Sequence, residues 1–437
     1  MAVKLTSSDP GFEQALPQLL AVRGSVSEKI GKVAASIVRD VRRRGDAALF
    51  EHTEKLDGCV IGADSIRIGP NEIDRAARIV PPDQQRALEL AANRIRDYHR
   101  KQIPQDQMQR GADGSLLGWR WTAIESVGIY VPGGSASYPS SVLMNAIPAQ
   151  VAGVKTVSMA VPTPDGTVNP LVLLAAKLAG VEQIFRIGGA QAIAAFAYGT
   201  ESIAPVDKIT GPGNAYVAAA KKLVFGDVGI DLVAGPSEVA VIADANAEPE
   251  WIAADLLAQA EHDPVAQSIL LTDCVALADS VDKRVTDRLT RLPRQAIAAA
   301  SWADCGAIIT VSDMAEAVSL VNRIAPEHVQ LCVSESGRLV AGIRNAGAIF
   351  CGIWTPEAIG DYVAGPNHIL PTMGAARFAS GLSVLDFMKR TTITELTPAG
   401  FAGIAPAAEL LATAEGLEGH ADSIRVRLAA IDGSGNG

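Results

Sequence analysis

Val127-Gly128-Ile129-Tyr130-Val131-Pro132-Gly133-Gly134-Ser135 is a short apolar run that stops abruptly at proline and glycine. A strand that feeds at once into a glycine turn is how a parallel β-α unit begins. The pattern recurs in Thr156-Val157-Ser158-Met159-Ala160-Val161, Gln183-Ile184-Phe185-Arg186-Ile187 and Val206-Asp207-Lys208-Ile209-Thr210, each followed by glycine or proline, with alanine-rich helical stretches between them. A second set of apolar runs covers 239–243, 268–272, 307–310 and 348–351. The spacing predicts two α/β domains, one near 126–236 and another built from the segments around it.

Outside these runs the periodicity changes. Residues 25–102 read as helices that cover a sheet, with Ser25 and Ser27 as caps and Pro81-Pro82 separating two long segments. After about residue 380 the pattern returns to helices and ends in the polar, fraying run Asp432-Gly433-Ser434-Gly435-Asn436-Gly437.

Composition narrows the function. The 437 residues suffice for two or three domains. Hydrophobic residues at 48% and aromatics at only 5% favour closely packed α/β layers. A net charge of −10 with no sustained basic run argues against nucleic acid as partner. Arg42-Arg43-Arg44, beside Asp40 and Asp46, reads as a solvated face. Cys59, Cys274, Cys305, Cys332 and Cys351 are odd in number, lack any C-x-x-C pair and read as buried free thiols of a reducing compartment. No signal peptide and no apolar run approaching a membrane span is present, so a cytoplasmic location is the default expectation.

The chemistry concentrates in the C-terminal half, which holds His262, His328, His368 and His420 in short polar insertions. In Ala258-Gln259-Ala260-Glu261-His262-Asp263-Pro264 an amide and an imidazole lie one helical turn apart, just before proline ends the helix. Glu327-His328 pairs a carboxylate with an imidazole and can divide proton work. It falls before a strand, whereas α/β sites usually lie at the carboxyl ends. Gly360-Asp361-Tyr362-Val363-Ala364-Gly365-Pro366-Asn367-His368 presents a further carboxylate and imidazole, and Glu415-Gly416-Leu417-Glu418-Gly419-His420 another pair. Gln259, His262, Asp361 and His420 together offer N/O ligands suited to zinc, with manganese or cobalt also compatible. The turns at Pro132-Gly133-Gly134-Ser135, Gly188-Gly189-Ala190-Gln191 and Gly211-Pro212-Gly213-Asn214 lack the full G-x-G-x-x-G, so each serves equally as a phosphate cradle or a tight β-α connection.

Taken in order with Ala234-Gly235-Pro236-Ser237-Glu238, Ala325-Pro326-Glu327-His328, Gly365-Pro366-Asn367-His368 and Glu415-Gly416-Leu417, these segments closely resemble the histidinol dehydrogenase family over nearly the whole chain. The resemblance implies an α/β homodimer of two incomplete Rossmann-like domains with parallel sheets, plus small helical domains from the chain ends. It sets out an N-terminal arm (1–24) packing with the C-terminal segment. A discontinuous first Rossmann-like domain (25–125 and 237–380) carries metal and catalytic residues, a second (126–236) binds NAD, and dimer-exchanging C-terminal domains cover 381–437. By the same resemblance, one zinc per subunit is held by Gln259, His262, Asp361 and His420. NAD is contacted by Tyr130, Gln191 and Asn214. Substrate L-histidinol is held by Ser237, Tyr362, His368 and Glu415 with the zinc ligands and the catalytic pair. His328 is the general base and Glu327 activates water. Glu415 and His420 would complete the other subunit's site.

Three other functions fit parts of this pattern. A paralogous NAD-linked zinc dehydrogenase of another small alcohol or diol would keep the zinc and NAD motifs and differ in its pocket. A zinc hydrolase would use Glu261 or Glu327 to activate metal-bound water and bind no NAD. A noncatalytic nucleotide-binding scaffold would not need the density of acid and imidazole pairs.

Overall fold

In chain order the strands are β1 (Val3–Thr6), β2 (Gln107–Arg110), β3 (Leu116–Ala123), β4 (Ser126–Tyr130), β5 (Thr156–Ala160), β6 (Gln183–Phe185), β7 (Lys208–Thr210), β8 (Gly229–Ile230), β9 (Glu238–Ala243), β10 (Gln267–Thr272), β11 (Ala307–Thr310), β12 (His328–Cys332), β13 (Ala348–Cys351) and β14 (Met388–Glu395). This computed structural model describes residues 2–21, 28–133 and 138–434. Ser25, Ser27, Gly134, Ser135 and the last three residues lie outside them. The chain divides into two compact units, Met1–Gln102 with Ile124–Phe387 and Ile103–Ala123 with Met388–Gly437.

The first unit contains two parallel sheets, as the glycine-ended runs predict. One has the order β6-β5-β4-β7-β8 and the other β1-β11-β10-β9-β12-β13. Counted from β4 or from β9, each follows the Rossmann sequence 3-2-1-4-5, without the strand that would sit beyond the fifth, and β1 adds an outer strand to the second sheet beside β11. Every residue of β9, β10 and β12 is buried, which is why these strands read as continuous rather than alternating apolar runs. In β4 the glycine is a packing requirement: a Cβ at Gly128 would meet the Phe196 ring at 2.6 Å, and Phe196 is fully buried.

Two of the expected domain assignments change. The N-terminal stretch is an edge strand rather than a separate arm, because Val3–Thr6 pairs in parallel with Ala307–Thr310. Phe12, Leu16 and Leu19 of the following helix enter the core beneath that sheet. The helix Glu28–Arg44 buries Ala34, Ile37, Val38 and Val41, one stripe at 3.6-residue spacing. That stripe joins the cluster containing Phe196, Val217 and Ala220, so it covers the five-stranded sheet and not the other one. The alanine-rich helices Gly189–Tyr198 and Ala215–Val224 need this cover, since their own side chains are small. Pro82 opens the helix Pro82–Arg100, as the Pro81-Pro82 break predicts.

The second unit is not wholly helical. β14, β3 and β2 form an antiparallel sheet, with Met388 opposite Ala123 and Glu395 opposite Leu116. The β-branched run Thr391-Thr392-Ile393-Thr394 explains the strand after residue 380. Helices Pro398–Ala414 and Glu418–Ser434 complete the unit. Among the described residues no helix is long and apolar enough to cross a membrane.

Candidate active site

A cleft of about 1330 Å³ runs through the first unit. On one side it is lined by Pro132, Pro212, Gly213 and Asn214, which follow β4 and β7. These neighbouring strands lie where the order of the sheet reverses, the position at which open α/β sheets bind ligands. Its other side comes from the opposite edge of the six-stranded sheet: Ser237, Glu327 and His328 sit at the amino ends of β9 and β12. The position of Glu327-His328 ahead of a strand is therefore real, and the cleft joins the carboxyl edge of one sheet to the amino edge of the other.

Local backbone geometry delivers the Glu327-His328 pair. Helix Met314–Ile324 ends on Ala325 in the left-handed region at φ 49°, and Pro326 prevents the helix from continuing. The chain then turns so that Glu327 and His328 enter β12 buried. The His328 Nδ1–H donates to the Glu238 carbonyl at 3.0 Å. This bond fixes the tautomer and leaves Nε2 as a buried acceptor with no partner. The Glu238 backbone N–H donates to Glu327 Oε2 at 3.0 Å. Glu327 and Glu357 carboxyl oxygens lie 3.7 and 3.6 Å from His328 Nδ1, too far for hydrogen bonds.

Burial sets the protonation states. It holds the His328 imidazole down to about 4 and lowers His368 as well. It raises the carboxyls of Glu327 and Glu357, and nearby carboxyls push the same way: Glu238 and Asp361 on Glu327, and Asp361, Glu327 and Asp255 on Glu357. A buried cluster of that sign is stabilised by a cation.

The metal ligand set can be tested on the same ground. Gln259 is fully buried, and neither its side-chain oxygen nor its nitrogen has a partner. It occupies the last turn of helix Pro249–Ala260, and the His262 N–H continues that turn to the Gln259 carbonyl at 3.2 Å. His262 and Asp361 line the cleft with Gln259. A buried amide without a partner, an imidazole and a carboxylate on one cleft are N/O donors of the kind a divalent metal takes. Donor atoms of His328, Glu357 and Asp361 also lie within 4.8 Å of one another.

The structure brings Asn214, Ser237, Gln259, His262, Glu327, His328, Asp361, Tyr362 and His368 to this one cleft. His368 is held by its Nδ1 on the Asp361 carbonyl at 3.0 Å. Asn214 caps helix Ala215–Val224, its Oδ1 accepting from Tyr216 and Val217 N–H, which leaves its NH₂ to serve a ligand. Tyr130 and Gln191 are buried and do not line the cleft. The Tyr130 hydroxyl accepts from Gly189 N–H at 3.1 Å, and Gln191 donates to Asp57 at 3.3 Å. Glu415 and His420 are exposed residues of the second unit.

Glu357 was not evident from motif reading. It is buried, with its N–H on Gln330 Oε1 at 3.3 Å, and Gln330 donates to Asp255 at 2.5 Å. Its signal was present: Glu357 precedes Asp361 by four residues on the helix Glu357–Tyr362, one face of one turn. No cysteine is among the residues lining the cleft. Cys59, Cys305 and Cys332 are buried, whereas Cys274 is half-buried and Cys351 exposed, against the expectation for all five.

A Rossmann switch point facing a buried imidazole set among carboxyl groups is an arrangement that suits an α/β oxidoreductase. The family model described as histidinol dehydrogenase matches residues 22–428. A histidinol dehydrogenase of Ruegeria pomeroyi is 58% identical over 98% of this chain and 99% of its own length. That of Cereibacter sphaeroides is 57% identical over 97% and 98%. The crystal structure of histidinol dehydrogenase from Elizabethkingia anophelis superposes with a TM-score of 0.93 at 36% identity, covering 99% of both chains. The chain belongs to the histidinol dehydrogenase family and is a dehydrogenase.

Proposed function

We propose that this chain carries out the four-electron oxidation of L-histidinol through L-histidinal to L-histidine, with two NAD, one water and one zinc per subunit. The observation that carries the proposal is His328: a buried imidazole oriented by the Glu238 carbonyl, its Nε2 unpartnered, on the wall of a cleft with a glycine turn opposite.

When bound, zinc would supply a Lewis acid for the substrate's nitrogens and NAD a hydride acceptor. Gln259, His262 and Asp361 supply the metal's donors in the cleft, with His420 as the fourth. His328 Nε2 takes the hydroxyl proton as the carbinol carbon gives up hydride, a role suited to an imidazole that burial keeps unprotonated at neutral pH. Burial favours the neutral Glu327 carboxyl, and a cation in the cleft would return it to the carboxylate that takes a proton from the water adding to the aldehyde. His328 serves again in the second oxidation. Ser237, Tyr362 and His368 hold the substrate. Asn214 contacts NAD through its free NH₂, and Tyr130 and Gln191 shape the neighbouring floor of the dinucleotide site. The absence of cysteine among the lining residues suits an aldehyde step that uses water directly.

The active form in this reading is a homodimer in the cytoplasm, in which the C-terminal segment carries Glu415 and His420 to the other subunit's cleft. The test is to incubate zinc-loaded protein with L-histidinol and NAD and count NADH per histidinol consumed. Two NADH with L-histidine as product is the expected result. NAD binding without NADH formation would favour another alcohol substrate, and no NAD binding would favour a hydrolase.

A further inference from the structure

Lys221 and Asp231 form an ion pair that the cleft does not expose: both side chains are 2% accessible. Burying two charges costs several kcal/mol per ion unless further hydrogen bonds use them. Here both partners act on the same residue. Lys221 Nζ donates to the Gly211 carbonyl at 3.0 Å, while Asp231 Oδ2 accepts from the Gly211 N–H at 2.7 Å. Gly211 opens the Gly211-Pro212-Gly213-Asn214 turn and has φ 109°, and a Cβ there would collide with the Tyr130 carbonyl. The pair thus clamps both polar groups of a backbone unit that only glycine adopts readily.

The two residues also come from the elements that build opposite walls. Lys221 lies on helix Ala215–Val224, whose cap Asn214 lines the cleft. Asp231 follows β8 and begins the loop that runs to Val233, Gly235 and Ser237, all on the cleft lining.

We infer that the Lys221–Asp231 ion pair is a positioning element for dinucleotide binding, holding the Gly211–Asn214 turn in the shape that receives NAD. The inference rests on the proposed NAD-linked function. Removing the pair leaves two Gly211 groups unsatisfied and frees the turn, without touching any residue proposed to hold zinc or the imidazole substrate.

The test compares wild type, the apolar double variant K221M/D231L and the charge-conserving K221R by steady-state kinetics and by calorimetric titration with NAD. The double variant removes both charges together, so no unpaired ion is left in the interior. Losing these hydrogen bonds should raise the KM and Kd for NAD about tenfold or more, with the KM for L-histidinol within about twofold. K221R, which keeps the charge, should recover part of the NAD affinity. NAD affinity within about twofold of wild type in the folded double variant would overturn the inference. Should the double variant not fold, K221R decides, because its displaced guanidinium must weaken NAD binding several-fold if the contact to Gly211 matters. A wild-type chain that binds no NAD would instead overturn the functional reading beneath the inference.

Discussion

His328→Asn isolates the function of one nitrogen. Asparagine places an amide N–H close to where Nδ1 stands, so the donation to the Glu238 carbonyl survives while the Nε2 acceptor disappears. Nε2 has no partner in the protein, so its loss breaks no structural hydrogen bond. The folding cost is then the packing of the ring, which lies 6.0 Å from Phe350 centroid to centroid, about 1–2 kcal/mol. General-base catalysis contributes about 10²–10⁴ in rate, or about 3–5 kcal/mol, so kcat should fall by that factor while zinc content stays unchanged. A second readout is pH. Unfolded histidine binds a proton below about 6.5, whereas folded His328 resists protonation down to about 4. The unfolded state therefore binds more protons in that window, and zinc-free wild type should lose roughly 3 kcal/mol of stability as pH falls through it. The variant should lose correspondingly less. Stopped-flow NADH formation and denaturant melts at stepped pH give both numbers, and retained turnover in the folded variant would remove His328 as the base.

Three further outcomes follow from neighbouring groups. Glu327→Gln keeps an oxygen for the Glu238 N–H but cannot take a proton from water. NADH formed per histidinol should drop from two toward one, with the aldehyde trappable by a hydrazine, and an unchanged ratio would refute the assignment. Gln259→Leu fills the same buried space without an amide, so the chain should fold yet lose zinc on gel filtration at least tenfold faster, read by atomic absorption. Burial raises the Asp255 carboxyl to about 6. Its contribution to stability is present below the unfolded value near 3.9 and is lost as pH rises through 6, so Asp255→Asn should stabilise the zinc-free protein by about 2–3 kcal/mol at pH 7.5 and hardly at pH 4. Equal shifts at both pH values would show that the gain has another origin.

The parallel sheets were readable because a buried strand ending in a glycine turn has one meaning over five or six residues, and β4, β5, β9, β10, β11 and β13 fall within two residues of the expected runs. β1, β2, β3 and β14 were not readable in this way. Val3–Thr6 is too short to show a period, β2 and β14 are largely exposed and carry no apolar alternation, and half-buried β3 alternates only over Trp119-Arg120-Trp121. The allocation of helix Glu28–Arg44 was equally hidden: an amphipathic stripe states that something is covered but not which sheet. Within the site, residues in short motifs such as Glu327-His328 stood out. Glu357 did not, because Thr355-Pro356-Glu357 looks like the ordinary acidic first turn of a helix, and only the fold shows that this turn is buried.

The opposed sheet edges also set the electrostatics of the two walls of the cleft. Helix Ala215–Val224 presents its amino end beside the Gly211–Asn214 turn, and an amino end carries partial positive charge that suits phosphate. On the other side helix Pro249–Ala260 ends one residue beyond Gln259 and helix Met314–Ile324 ends just before Glu327, so two carboxyl ends with partial negative charge face the cleft near Glu327 and Asp361, while Glu357 opens helix Glu357–Tyr362. Carboxylates at helix carboxyl ends are unfavourable unless a cation compensates them. The wall at the Gly211–Asn214 turn therefore suits an anionic group, and the wall at Gln259 and Glu327 suits a cation. Glu327 and His328, at the start of β12, thus stand on the wall whose helix ends attract a cation.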